Sequence, residues 1–180
     1  MDLKNDLSLI LDHLEVSSLY GAHVFVDYSN ILYGANKYSS RFDENLFFQF
    51  LNNTTAQLPQ IKRILVSSIE VEAQKHGFEV HELPKHRNKE YFVDELLYSK
   101  ICESLLDYES GLLVLVTGDG NISRYGLGFS MNIMRALKRN WKVRLITWKK
   151  DTNTIYIDIA CKYSNFKIFY LDNAIQHFEG

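Results

Sequence analysis

Apolar residues recur along this chain with two different periods, and the helical period comes first. Between residues 3 and 14, five aliphatic side chains share one side of a helical wheel, and most charged residues lie elsewhere. This spacing predicts an amphipathic helix in a lead-in segment at residues 1–20, which packs either on the following domain or on a neighbouring molecule. The aliphatic positions are Leu3, Leu7, Ile10, Leu11 and Leu14.

From residue 21 onward, short apolar runs alternate with stretches of helical spacing. The runs predict strands at residues 24–26, 64–66, 78–83, 112–116, 143–148 and 166–171. The stretches between them predict helices at about residues 43–52, 91–107 and 125–139. Residues 151–161 suit either a strand or a helix, because Ile155, Ile157 and Ile159 alternate with other residues there.

Strands that alternate with helices indicate right-handed βαβ units, which build a mostly parallel sheet covered by helices on both faces. The helical stretches support this arrangement, because Val93, Leu97, Ile101 and Leu105 repeat every four residues and give one helix an apolar side to bury. A chain of 180 residues that is 46% hydrophobic has enough material for one core. The sequence therefore predicts a single three-layer α/β domain over residues 21–180.

Charge and cysteine content limit the classes of partner and compartment. The formal net charge is -2 and the pI about 6.3, so binding to nucleic acid would depend on local basic patches. Cys102 and Cys161 stand far apart without a CxxC pattern, which argues against a structural zinc site or a disulfide framework. The chain starts without the pattern of a secretory signal, and no segment approaches the roughly 18 apolar residues that span a bilayer. These features predict a cytoplasmic protein with no membrane segment.

Three aspartates fall where predicted strands end or a predicted helix begins. Asp27 follows the first strand, Asp119 follows the fourth, and Asp94 lies near the start of a helix. In an open parallel sheet, ligands bind outside the carboxyl ends of the strands. Three carboxylates at that place would suit Mg²⁺ or Mn²⁺, which prefer oxygen ligands. Taken alone, each aspartate is more typical of a helix cap or a turn.

Neighbouring polar residues extend this candidate site. Asn30, Thr117 and Asn121 either orient water or phosphate or close the turns. Gly118 and Gly120 flank Asp119 and permit a sharp turn with close backbone approach to a ligand.

Basic residues form two clusters, although runs of charge are most often solvated faces. Lys85, Arg87 and Lys89 directly precede Asp94, so they are the candidates for RNA phosphate contacts. The second cluster is typical of a helix C-terminus, which favours cations. It contains Arg135, Lys138, Arg139, Lys142 and Arg144.

Three sequence blocks resemble the signature blocks of NYN domains, in particular the limkain-type branch common in fungi, within the PIN-like nuclease superfamily. The blocks are Val26–Asn30, Val93–Leu97 and Val116–Asn121, and their order and spacing also resemble the family. A later stretch, from Gly128 to Trp148, is similar as well, so the resemblance covers residues 22 to 172.

The resemblance implies a PIN-like Rossmannoid fold and a divalent-metal-dependent ribonuclease. It implies Asp27, Asp94 and Asp119 as metal ligands and Asn30 as a further site residue. Many relatives carry a second acid two places after the third-block aspartate, where this chain has Asn121. One metal held by three carboxylates is therefore the expected arrangement, since the side chain of Glu95 points about 100° away from that of Asp94 around a helix.

These observations leave three functions to compare. The first is an endoribonuclease that uses Mg²⁺ or Mn²⁺ to activate a water and cleaves RNA, mainly single-stranded, to a 5′-phosphate and a 3′-hydroxyl. The second is a catalytically weak RNA-binding module, which Asn121 suggests. The third is a protein-interaction domain that binds a partner protein or a second copy, which the N-terminal apolar helix and the acidic overall charge suggest.

Overall fold

The computed structural model describes residues 21–39, 41–85, 92–118 and 128–180, and the predicted N-terminal helix at residues 3–14 lies outside these ranges. The described residues form one sheet whose six strands are all parallel. The strands are β1 (Ala22–Asp27), β2 (Gln60–Ser67), β3 (Glu79–Glu82), β4 (Leu112–Val116), β5 (Lys142–Thr147) and β6 (Phe166–Tyr170).

The strands lie in the order β3-β2-β1-β4-β5-β6. The chain builds one half of the sheet outward from β1 and the other half outward from β4, so the order reverses between these two strands. A crevice at such a reversal is the usual ligand site of an open α/β sheet. We call the side on which all six strands end the carboxyl edge, and the side on which they begin the amino edge.

Five α-helices connect the strands within the described residues. They are α1 (Tyr28–Tyr38), α2 (Glu44–Thr54), α3 (Val93–Asp107), α4 (Phe129–Lys138) and α5 (Thr154–Lys162). Side-chain caps fix three of the helix starts: Asp27 accepts a hydrogen bond from the backbone N–H group of Asn30, Asp43 accepts from those of Asn45 and Leu46, and Asn153 accepts from that of Ile155. The predicted three-layer α/β fold is confirmed, with a sheet that is parallel throughout.

The ambiguous segment at residues 151–161 is helical. A crossover must join the parallel strands β5 and β6, and Asn153 supplies the cap that starts α5. Its three isoleucines consequently have different surroundings: Ile159 is buried, Ile155 is half-buried, and Ile157 is 45% exposed.

Two apolar cores cover the two faces of the sheet. The first packs α1, α2 and the C-terminal residues against one face, and it is rich in aromatic side chains such as Phe47, Phe48 and Phe178. The second packs α3, α4 and α5 against the other face. Val24 and Val26 face the first core and Phe25 faces the second, as the alternation of side chains along a strand requires.

The orientation of α3 follows from contacts near its C-terminal end. Ser104 Oγ lies 3.2 Å from His23 Nδ1 at the start of β1, and Lys62 Nζ at the start of β2 lies 3.8 Å from the carboxylate of Asp107. The end of α3 therefore lies at the amino edge, and its beginning lies at the carboxyl edge. Across residues 21–39, 41–85, 92–118 and 128–180, no helix combines the length and the apolar character needed to cross a membrane.

Candidate carboxylate site

Asp27 ends β1 at the strand-order reversal and is only 2% exposed. It also caps α1, because its Oδ1 accepts a hydrogen bond from the backbone N–H of Asn30 at 3.3 Å. Its Oδ2 accepts from Asn30 Nδ2 at 3.2 Å and from the hydroxyl of Thr117 at 3.4 Å. Three donors, two from Asn30 after β1 and one from Thr117 after β4, thus orient one buried carboxylate. Supporting groups orient metal-ligating carboxylates in the same way.

The predicted roles of Asn30 and Thr117 become more specific in the structure. Thr117 directly follows β4 and is fully buried, and it joins the end of β4 to the end of β1 through Asp27. Both residues hold the carboxylate of Asp27, which the sequence pattern did not indicate. The pairing depends on β1 and β4 being neighbours, and strand order is not visible in a hydrophobic pattern.

Gly118 has a structural reason to be glycine. A Cβ at this position would lie 2.6 Å from Asn30 Oδ1 and 3.0 Å from the backbone oxygen of Asn30. The carbonyl of Gly118 also accepts a hydrogen bond from Thr147 Oγ1 at 3.0 Å. The chain is therefore held against Asn30 at the residue immediately before Asp119.

A pair of serines at the carboxyl edge was not recognised from the sequence. Ser29 follows β1 and Ser68 follows β2, their hydroxyl oxygens are 3.1 Å apart, and the backbone N–H of Ser68 donates to Ser29 Oγ at 2.9 Å. Both positions lie within three residues of the end of a predicted strand, and that was the available signal. These bonds fix the first turn of α1, which begins at Tyr28.

Asp94 lies half-buried in the first turn of α3, at the carboxyl edge. The position of Asp94 along the strand direction can be compared with that of Asp27 by counting from the contact between His23 and Ser104. Ten helical residues separate Asp94 from Ser104 and cover about 15 Å, whereas four strand residues separate Asp27 from His23 and cover about 13 Å. Strand alternation places Asp27 on the sheet face that α3 covers. The two carboxylates therefore share one edge and one face.

Phe92, immediately before α3, is a third residue that the sequence pattern did not indicate. Its φ is 68°, in the left-handed region that a phenylalanine rarely adopts, and its side chain is 69% exposed. No sequence pattern signals a left-handed phenylalanine. The backbone places an exposed aromatic ring two residues before Asp94.

The remaining predicted residues divide between described and undescribed positions. Lys85 is exposed and lies shortly after β3, where the backbone N–H of Leu83 donates to Ser67 O at 2.8 Å, and Glu95 is exposed on α3. The other predicted site residues lie outside the described ranges. They are Asp119, Asn121, Arg87 and Lys89.

The donor chemistry of this edge suits a hard divalent cation, because Asp27, Asp94 and Asn30 carry carboxylate and amide oxygens. Within the part of the chain that the structure describes, no three His, Cys, Asp or Glu side chains form a metal-binding group. Asp119, the third predicted ligand, is outside that part. The three-carboxylate cluster is therefore still a prediction.

The second basic cluster is split by the fold. Arg135 and Lys138 lie in the last turn of α4 and Arg139 caps it, as predicted for a helix C-terminus. Lys142 and Arg144 were wrongly grouped with them, because both lie in β5, and Arg144 is buried. Its guanidinium donates to the backbone oxygens of Val143 and Asn165, and burial lowers its pKa to about 10.

No family profile matches the chain, and no curated protein matches it either. Among solved structures, the chain is similar to a protein of unknown function from Vibrio parahaemolyticus, with 20% sequence identity and a TM-score of 0.56. The match covers 85% of this chain and 96% of that chain. At this identity the similarity supports the α/β fold over most of the domain, and it carries nothing about the chemistry of the carboxyl edge.

Proposed function

We propose that this protein is a divalent-metal-dependent endoribonuclease that uses the carboxyl edge between β1 and β4. The observation that carries the proposal is the buried carboxylate of Asp27, which three hydrogen-bond donors orient at the strand-order reversal. A helix cap alone requires only the backbone N–H of Asn30. The additional bonds from Asn30 Nδ2 and the Thr117 hydroxyl support a second role for this carboxylate, as a ligand that must point in a fixed direction.

The placement of the other groups supports the same reading. Asp94 shares the edge and the face with Asp27, and the contact between Gly118 and Asn30 brings the chain to this place one residue before Asp119. Asp27, Asp94 and Asp119 are the residues that would hold Mg²⁺ or Mn²⁺. A bound cation would supply polarisation of a phosphoryl oxygen and a lowered pKa of water.

The chain itself would bind and position the RNA. The exposed ring of Phe92 offers a surface on which an unpaired base stacks, which favours a single-stranded substrate. A left-handed phenylalanine costs on the order of 1 kcal/mol, and such strain often occurs at functional positions. Lys85 lies shortly after β3 at the same edge of the sheet, and its side chain would contact phosphate.

The test is to incubate the purified protein with single-stranded and with structured RNA, each with Mn²⁺, with Mg²⁺ and with a chelator. The proposal expects cleavage products with 5′-phosphate and 3′-hydroxyl ends only when the metal is present. RNA binding that weakens with salt but produces no cleavage would support the binding-module alternative that Asn121 suggests. If the protein neither binds nor cleaves RNA, both RNA functions are refuted.

A further inference from the structure

An apolar groove runs between α4 and α5 on the side of these helices that faces away from the sheet core. Its volume is about 520 Å³. Met131 and Met134 line it from α4, and Ile155 and Ile159 line it from α5. Met131 is 37% exposed. Apolar grooves between helices are the kind of surface that receives the apolar side of an amphipathic helix.

Basic side chains dominate the charge of this groove. Arg135 and Lys138 line it from α4 and Lys162 lines it from α5, whereas Asp158 is the one acidic residue among the described residues of its lining. All four of these residues are exposed. The groove therefore complements a helix with acidic flanks.

The N-terminal segment of this chain has the complementary pattern. Residues 1–20 contain four acidic side chains and one lysine. At 100° per residue, Asp6 and Glu15 fall on either side of the aliphatic stripe of the predicted helix. A helix over residues 3–14 is about 18 Å long, which is close to the length of α4 or α5 at 1.5 Å per residue.

The described chain begins at the amino edge, the edge of the sheet at which α4 also ends. The backbone oxygen of Gly21 accepts a hydrogen bond from Leu112 N at 2.9 Å, and a Cβ on Gly111 would lie 3.0 Å from that oxygen and 3.1 Å from the Trp141 ring. Trp141 follows the last turn of α4. Residue 20 therefore joins the domain at the amino edge, where Lys138 ends α4.

We propose that residues 3–14 pack as a helix in the groove between α4 and α5 of the same chain, with Glu15, which directly follows this helix, beside Lys138 and Lys162 at the amino edge. The linker between the proposed helix and β1 is long enough for this placement. Neighbouring strands are about 4.8 Å apart, so the starts of β1 and β5 are roughly 10 Å apart across β4. The six residues 15–20 span up to about 20 Å when extended.

The test is amide hydrogen exchange on the full chain, in wild type and in matched variants. Met131→Glu places a charge in the groove, and Ile157→Glu places the same charge on α5 at a residue that is 45% exposed and outside the groove lining. The proposal expects protected amides at residues 3–14 in wild type. It expects protection to fall about tenfold or more in Met131→Glu and to persist in Ile157→Glu. Amides of β4 should exchange equally in all three proteins, which shows that the fold is intact.

A charge exchange provides the second arm. Lys138→Glu with Lys162→Glu should lower the protection of residues 3–14, and adding Glu15→Lys should restore part of it. Equal exchange of residues 3–14 in wild type and Met131→Glu would overturn the proposal. Protection that rises with protein concentration would also overturn it, because a second copy would then supply the helix. Cleavage of RNA does not enter these measurements, so the result is independent of the proposed function.

Discussion

The two ends of β1 each bury a titratable side chain, and they surround it differently. His23, 1% exposed at the amino edge, has the rings of Tyr108 and Trp141 at centroid distances of 4.7 and 4.9 Å, and its Nδ1 lies 3.2 Å from the hydroxyl of Ser104. Asp27, 2% exposed at the carboxyl edge, has three hydrogen-bond donors. Burial and the nearby charge of Lys62 lower the pKa of His23 to about 4, so it is neutral at pH 7.

This difference separates a packing role from a positioning role on one strand. The burial of His23 among aromatic rings disfavours its ionised form. The donors around Asp27 instead orient an anion, and they come from the turn after β1 and from the residue after β4. A buried polar residue gains functional meaning when its partners converge from separate elements at a ligand-binding edge.

The largest expected effect is on catalysis at the Asp27 end. Asp27→Asn should lower metal-dependent RNA cleavage by at least about a thousandfold, or about 4 kcal/mol, because it removes a carboxylate ligand. The free energy of unfolding should fall by about 1 to 3 kcal/mol, because the asparagine still accepts from Asn30 N but its amide N–H group meets two other donors, Asn30 Nδ2 and Thr117 Oγ1. Cleavage assays and denaturant titration measure the two quantities.

The matched change at the other end of the strand is His23→Gln, which should leave the rate of cleavage per folded molecule unchanged. Unchanged cleavage by Asp27→Asn would show that the activity arises at another site. Loss of cleavage by both variants would remove the distinction between the two ends of β1.

The next effect is the acid sensitivity of the His23 end. The unfolded chain protonates His23 near pH 6.5, whereas the folded chain does so only near pH 4. The unfolded state therefore binds more protons as the pH falls between these values, and the stability present above pH 6.5 is lost on acidification. His23 should account for a loss of about 3 kcal/mol by pH 4.

Denaturant titration at several pH values between 7 and 4 tests this, with His23→Gln for comparison. The variant should be less stable at pH 7 but should lose about 3 kcal/mol less on acidification, because its side chain does not titrate. Parallel pH profiles for the two proteins would mean that His23 keeps an ordinary pKa.

A third effect compares two glycines at opposite edges of the sheet. Gly118→Ala would place a Cβ 2.6 Å from Asn30 Oδ1, and Gly111→Ala would place one 3.0 Å from Gly21 O and 3.1 Å from the Trp141 ring. Each should cost about 2 kcal/mol in unfolding free energy through overpacking. Only Gly118→Ala should also lower cleavage, because it displaces the Asn30 side chain that holds Asp27. Equal cleavage by the two folded variants would argue against a positioning role for Asn30.

The fold could be predicted from the sequence where burial alone determines the pattern. β4 matches its predicted bounds, since a strand that is buried on both faces is an unbroken apolar run. α1 was not predicted. It has 11 residues, as many as α2, but it follows β1 without a loop. Its buried side includes Ser29 and Gly34, where a Cβ would overlap the indole of Trp148, so its hydrophobic period is weak.

The candidate site was predictable only at the level of single residues. Asp27 and Asp94 were found because of their positions next to a strand and a helix, and both lie at the carboxyl edge. The bond from Thr117 to Asp27 depends on which strands are neighbours, and the sequence pattern does not specify this order. The burial of Arg144 was missed because a long side chain can bury its stem and satisfy its charged group with backbone oxygens.

The smallest effect is on the salt dependence of RNA binding, and it compares one lysine from each edge. Lys85 follows β3 at the carboxyl edge, whereas Lys138 ends α4 at the amino edge. A phosphate beside Asp27 and Asp94 would lie at the same edge of the sheet as Lys85 and at the opposite edge from Lys138. Lys85→Gln should therefore reduce the slope of log affinity against log salt by about 0.7, the value for one phosphate contact on single-stranded nucleic acid, and Lys138→Gln should leave the slope unchanged. Binding titrations at several salt concentrations, with chelator present to prevent cleavage, measure both slopes. Equal slope changes in the two variants would mean that RNA contacts both edges, and the carboxyl edge would lose its special position in binding.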